Sequence, residues 1–178
     1  KIPGFTHQAA FYDGEKADLQ IGLVYYPMDD LMLYAVRGGG VFLEKNGQPA
    51  PVPAPGLPDF AALRYSHPFR YRGDKYQDLF QHLGAKEEQV VYVNADRTLQ
   101  FVKGNLNVAL FMMARIPEWD WAGEKVIVEE LGLNHSYLDG SPIRFGERPA
   151  KDNPGYLICP QPYRTRLMAG ALDYLKGR

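Results

Sequence analysis

Apolar and polar positions alternate along the first fifty residues, and helical spacing takes over further on. The stretch DLQIGLVYY (18 to 26) reads as a strand that stops at Pro27, and LMLYAV (31 to 36) reads as a second, rich in apolar and aromatic side chains. The MDD between them is of hairpin length. The glycines of RGGG (37 to 40) break the run, and VFLEKNGQP (41 to 49) predicts a short strand with an Asn46-Gly47 turn. Together these segments predict an antiparallel meander. Pro49, Pro51, Pro53, Pro55 and Pro58 follow within PAPVPAPGLPDF, 49 to 60. Such a stretch is extended, and it can neither join a helix nor pair centrally in a sheet. It is the expected boundary between residues 1–50, the remaining strands of an N-terminal domain, and a C-terminal domain over 51–178.

Beyond the prolines, Tyr76, Leu79, Phe80 and Leu83 fall at i, i+3, i+4 and i+7 within residues 74 to 84, and Gly84 is placed to end a helix. QVVYVN (89 to 94) predicts a strand, and NVALFMM (107 to 113) predicts one that is apolar on both faces and therefore buried. A helix is expected over 121 to 131, ended by Gly132. GYLICP (155 to 160) reads as a buried strand, and residues 163 to 175 read as a helix after Pro162. Alternating strands and helices predict a layered α/β domain, with the 121 to 131 helix packed on its sheet. The expected fold class is α/β, with antiparallel strands of an incomplete N-terminal sheet ahead of that domain.

Composition narrows the function classes. The 178 residues are 46% hydrophobic and 13% aromatic, enough for a sizeable core and contrary to disorder. A net charge of -1 provides no field to draw nucleic acid or an anionic membrane surface. No apolar run approaches the about 18 residues of a membrane span. Cys159 is the only cysteine, so neither an internal disulfide nor a cysteine zinc site is expected; this suits a reducing compartment, and a cytoplasmic location is the expectation. The opening KIPGFTHQ reads as neither a signal peptide nor a domain start, and predicts a segment lost upstream.

Candidate chemistry centres on Asp120, which lies between the chain's two tryptophans, Trp119 and Trp121, at the start of a helix. Its carboxylate can cap the helix by accepting a first-turn N–H. It can instead hold a metal ion at a helix end that favours anions. The tryptophans are then either core or walls that exclude water. The glycines Gly38 to Gly40 match no phosphate-loop pattern and predict a turn with unusual dihedrals. His7, His67, His82 and His135 have no paired metal spacing, and His82 falls on an exposed helix face. Ser66 and His67 are adjacent on an extended segment and point to opposite faces, so they do not form a nucleophile and base. Glu129 and Glu130 read as the solvated side of a helix.

The segment WDWAGEKVIVEELG (119 to 132) resembles the carboxy-terminal signature of the inositol monophosphatase family, magnesium-dependent and lithium-sensitive phosphatases. That signature is Trp-Asp, any residue, Ala, a small residue, then an aliphatic helix ending near a glutamate, a small residue and glycine. Trp119, Asp120, Ala122, Gly123, Ile127, Val128, Glu130 and Gly132 fit it. Residues 22 to 47 resemble the family's strand, Tyr-Pro turn, strand, Gly-x-Gly turn and Asn-Gly hairpin, and SHP (66 to 68), LDGSPIRF (138 to 145) and NPGYLICP (153 to 160) resemble later elements. The resemblance implies a layered α+β sandwich of the sugar-phosphatase type, with Mg²⁺ as cofactor and Asp120 as one of its ligands. It implies hydrolysis of a small-molecule phosphate monoester by metal-activated water. Homodimers are common in the family, so self-association is an expectation.

The departures are specific. Glu124 stands where the family usually has a small residue, near the phosphate end of the helix, and Leu133 stands where a second glycine is usual. NADRTLQF (94 to 101) matches the family's substrate stretch poorly, so no substrate contact carries over, and ALFMM (109 to 113) lacks the acidic residue expected shortly before the signature. The principal metal motif, Asp-Pro-x-Asp-Gly-Thr, does not occur. In the family, IPGF-like residues follow that motif closely, so the chain is expected to be the carboxy-terminal part of such an enzyme and inactive alone. The alternative is a catalytically inactive relative or fragment acting as a binding or assembly module, which Glu124 favours because it would repel an anion.

Overall fold

The alternation of the first fifty residues folds into a five-stranded antiparallel sheet in the order β1-β2-β3-β4-β5. The computed structural model describes residues 4–68, 74–112, 117–147 and 152–177. The strands are β1 (His7–Asp13), β2 (Asp18–Tyr26), β3 (Leu31–Val36), β4 (Gly40–Lys45) and β5 (Gln48–Val52). β2 and β3 match their predicted spans. The β4–β5 turn carries Asn46 at φ 53° and Gly47 at φ 71°, the left-handed geometry that the Asn-Gly pair favours. β5 takes in Pro49 and Pro51, opposite Glu44 and Phe42 of β4. They sit on an edge strand at alternate positions, where a missing N–H faces away from the neighbour. The proline-rich stretch therefore begins inside the first sheet and runs on without regular structure from Pro53 to Pro58.

The second sheet has the order β7-β6-β8-β10-β9 and is mixed. β6 (Tyr65–Pro68) runs parallel to β7 (Val90–Val93) and to β8 (Val108–Met112). β10 (Gly155–Pro160) runs antiparallel to β8 and to β9 (Leu133–Tyr137). The apolar β8 and β10 are buried as predicted, and their alternation divides the core in two. Val108, Leu110, Leu157 and Cys159 face α1 (Asp74–His82) and α4 (Arg164–Lys176). Ala109, Phe111, Tyr156 and Ile158 face the other way, into a core shared with β2, β3 and α3 (Ala122–Glu130). Ser66 and His67 lie on opposite faces of β6, and the His67 ring packs on Tyr92 at 4.9 Å. Among the described residues no helix is long and apolar enough to cross a membrane.

α3 corrects one expectation. It packs on β1, β2, β3 and β4 of the first sheet as well as on β9 of the second, not on the second alone. Its consecutive residues Gly123 to Val128 are all buried. A helix apolar along one stripe covers one sheet; a helix buried all round is an internal layer. Successive layers are therefore sheet, α3, sheet, and the α1/α4 pair.

Candidate active site

The close seating of α3 follows from two glycines. A Cβ on Gly123 would come within 2.4 Å of the Leu23 carbonyl oxygen, and one on Gly22 within 2.3 Å of the Gly123 carbonyl oxygen. Only backbone fits at this crossing. The head of α3 is thereby pressed against the first sheet, and Gln8 of β1 donates its side-chain N–H to the Asp120 carbonyl at 2.9 Å.

Asp120 ends a short 3₁₀ turn, Glu118–Asp120, directly before α3. The residue in the capping position is Trp121, and among the described residues no side chain caps the helix. The capping role considered for Asp120 is therefore not seen. Its carboxylate is exposed and has no hydrogen-bonding or ionic partner among the described residues. The tryptophans part company. Trp121 is fully buried against Phe145 and His135, ordinary core, whereas Trp119 is 75% exposed and is neither core nor wall.

About one helical turn past Asp120, the Glu124 carboxylate is completely buried. Arg97, at the start of α2 (Arg97–Val102), grips it with both ends of its guanidinium, Nε lying 2.8 Å from Oε1 and Nη2 on Oε2. Thr98 adds a hydroxyl donor at 3.2 Å. The guanidinium also lies over the Phe111 ring, 4.6 Å from its centroid. Burial opposes the charge on Arg97, but Glu124 outweighs it and raises the guanidinium pKa. Glu124 thus meets a cation. The expectation that it stands ready to repel a phosphate is corrected: its charge is neutralised from within.

Beside this pair, Tyr26 of β2 accepts a hydrogen bond from the Leu99 backbone N–H at 3.1 Å. Tyr26, Phe5, Met28, Asp29, Asn94 and Asp96 border a hollow of about 100 Å³. Asp96 is internally engaged, accepting from the Asn94 N–H at 3.1 Å and from Gln100 at 2.7 Å.

The far end of α3 also departs from expectation. Glu129 and Glu130 do not simply face solvent. Lys125 holds Glu129 through both oxygens at 2.7 Å, and Arg37 bridges Glu129 and Asp18. Glu130 accepts the backbone N–H groups of Gly38 and Gly40 at 3.0 and 3.1 Å. The glycines adopt φ of 72° and 79°. This is the unusual turn the sequence predicts, and its amides hold an anion supplied by the chain itself.

Three other groups complete the picture. His135 is buried, and neither ring nitrogen has a hydrogen-bond partner among the described residues; burial, then Lys125 and Arg97, hold its pKa well below the usual histidine value. Cys159 is buried and its thiol is pushed up to about 12, which leaves it un-ionised near neutral pH. Gln8 and Arg97 are the site residues that sequence reasoning passed over. A glutamate inside an apolar helix was the available signal for a buried cation, though not for which one.

An exposed carboxylate before an internal helix, with a β-meander on one side of that helix and a mixed sheet on the other, defines a layered α/β protein with a candidate site at Asp120. A profile of the inositol monophosphatase family matches residues 4–173, and the chain belongs to that family. Solved structures share the fold. The Thermotoga maritima inositol monophosphatase aligns with a TM-score of 0.71 at 16% identity, over 97% of this chain and 62% of its own. A Staphylococcus aureus IMPase-II bound to inositol monophosphate aligns at 0.68 and 18%, over 96% and 61%. Mycobacterium tuberculosis SuhB aligns at 0.69 and 16%, over 97% and 65%. The chain thus spans under two thirds of each. A comparison with curated protein sequences gives no match.

Proposed function

We propose that the protein contributes to metal-dependent hydrolysis of a phosphate monoester, with Asp120 as one Mg²⁺ ligand. The observation that carries this reading is the Asp120 carboxylate itself, exposed and without a partner among the described residues, while the backbone around it is held by Gln8 and by the glycine crossing. A hard oxygen donor in that state suits Mg²⁺, which takes one or two carboxylates and completes its shell with water and phosphate oxygens. Bound Mg²⁺ would supply an activated water and neutralise charge on the phosphate and leaving oxygen. Asp120 would hold the ion, and the side chains around the hollow would orient the alcohol part of the ester. The buried, un-ionised Cys159 gives no support to a covalent route. Inositol monophosphate bound to the S. aureus relative supports a small-molecule ester as substrate. A cytoplasmic, self-associating enzyme is the accompanying proposal.

A second reading, an inactive binding or assembly module, is favoured by one observation: among the described residues no three metal-ligating side chains come together. Mn²⁺ used as a paramagnetic probe separates the two. Under the metal reading it broadens the amide signals of Gln8, Trp121 and Ala122, and Asp120→Asn abolishes the broadening. Equal broadening in the variant removes Asp120 as a ligand. The purified 178-residue chain is proposed to be inactive with Mg²⁺ on sugar and nucleotide monophosphates, and clear turnover overturns that part.

A further inference from the structure

We infer that Arg97 and Glu124 are positioning residues: their buried pair sets the Asn94–Asp96 wall of the hollow in register with the head of α3, and so with Asp120. The inference rests on the proposed reading of Asp120 and the hollow as parts of one site. α2 is only six residues long, too short to hold its own geometry. Its first turn is attached at three points. Arg97 and Thr98 both bind Glu124, and the Leu99 N–H binds Tyr26. Two of the three converge on one carboxylate of α3.

An apolar contact would keep α2 nearby but would not fix its rotation. A two-pronged guanidinium–carboxylate pair does, because both N–H···O bonds hold only in one plane. The Phe111 ring beneath the guanidinium restricts that plane further. A buried pair of this kind adds little net stability over apolar residues of the same volume. What it supplies is orientation. Arg97 follows directly on Asp96, which borders the hollow, and Glu124 lies about one turn beyond Asp120, so the pair ties the segment bordering the hollow to the helix that follows Asp120.

The test compares the natural protein with Arg97→Lys, which keeps the charge and loses the fork, and with the double variant Arg97→Met/Glu124→Leu, which keeps the packing and loses the tie. Hydrogen exchange is followed in peptides covering 94–102, 108–112 and 155–160, alongside the thermal midpoint. The expected result for the double variant is an unchanged midpoint, exchange over 94–102 faster by roughly tenfold, and no change over the two buried strands. Unchanged exchange over 94–102, or acceleration of all three regions together, overturns the inference. This arm needs no catalysis, so it is readable if the phosphatase reading fails. Where phosphatase activity is present, KM for the ester rises several-fold in both variants with kcat less affected. An unmoved KM in an active enzyme also overturns the inference.

Discussion

Gly22 and Gly123 meet backbone to backbone, a strand residue against a helix residue, and the contact is too tight for a methyl group on either side. Gly123→Ala would place a carbon 2.4 Å from the Leu23 oxygen and 3.0 Å from the Ala9 oxygen. Those atoms belong to the sheet backbone and cannot turn aside. Overpacking of this kind costs about 1–3 kcal/mol. Gly123→Ala and Gly22→Ala are each expected to lower the urea midpoint accordingly, and to weaken the Gln8–Asp120 bond by lifting α3. An unchanged midpoint in both would show that the crossing can open freely.

Asp120→Asn is expected to leave stability unchanged, since the carboxylate neither caps the helix nor has a partner among the described residues. Under the proposed metal-ligand role, the same change in any catalytically active form of the protein is expected to cut phosphate release by well over tenfold and raise the Mg²⁺ requirement. A tenfold loss corresponds to about 1.4 kcal/mol of transition-state stabilisation, less than a charged metal ligand should provide. Steady-state rates across a Mg²⁺ titration check this, and identical curves would remove Asp120 from the chemistry.

Glu130→Ala is expected to destabilise by about 1–2 kcal/mol, because it removes a charged acceptor shared by two backbone amides. Exchange at Gly38 and Gly40 should quicken more than at any other residue of the first sheet. Glu130→Gln retains one acceptor oxygen and should lose less. Equal losses for the two variants would show that helix length, not the glycine turn, accounts for the effect.

β2, β3, α1 and α4 were legible because one side of each is buried and leaves a period in the sequence. β1 was missed for the opposite reason: most of its residues are exposed, so HQAAFYD carries no alternation to read. α2 was missed because six residues do not complete two turns. Asp120 stood out through its tryptophan neighbours, yet its true setting depended on Trp121 being the capping residue. Glu124 and Arg97 are 27 positions apart, and no spacing rule joins them. Glu129 and Glu130 looked like a solvated face because sequence polarity does not distinguish a carboxylate in water from one held by lysine or by backbone amides.

Acid sensitivity is expected from His135. Its folded pKa lies well below the ordinary value of about 6.5, chiefly through burial. Above pH ~6.5 the ring is neutral in both states and its contribution to stability is fully present. As pH falls below that value the unfolded chain binds a proton that the folded chain refuses, so stability declines by up to about 1.4 kcal/mol per pH unit. His135→Phe keeps an aromatic ring against Trp121 and Tyr156 and should flatten the decline between pH 6.5 and 5.5. Parallel urea midpoints for both proteins across that range would assign the loss to other groups.

The internal position of α3 has a consequence for how the chain is made. β5 ends at Val52 and α3 begins at Ala122, so the complete meander is made about seventy residues ahead of the helix that covers it. At ~5–20 residues per second this is a wait on the order of 4–14 s. Throughout it, Leu19, Val24, Leu33 and Val41 lack the helix that later buries them. The early sheet is therefore the part of the nascent chain that most needs shelter from aggregation, and synthesis of α3 is the moment at which that need ends.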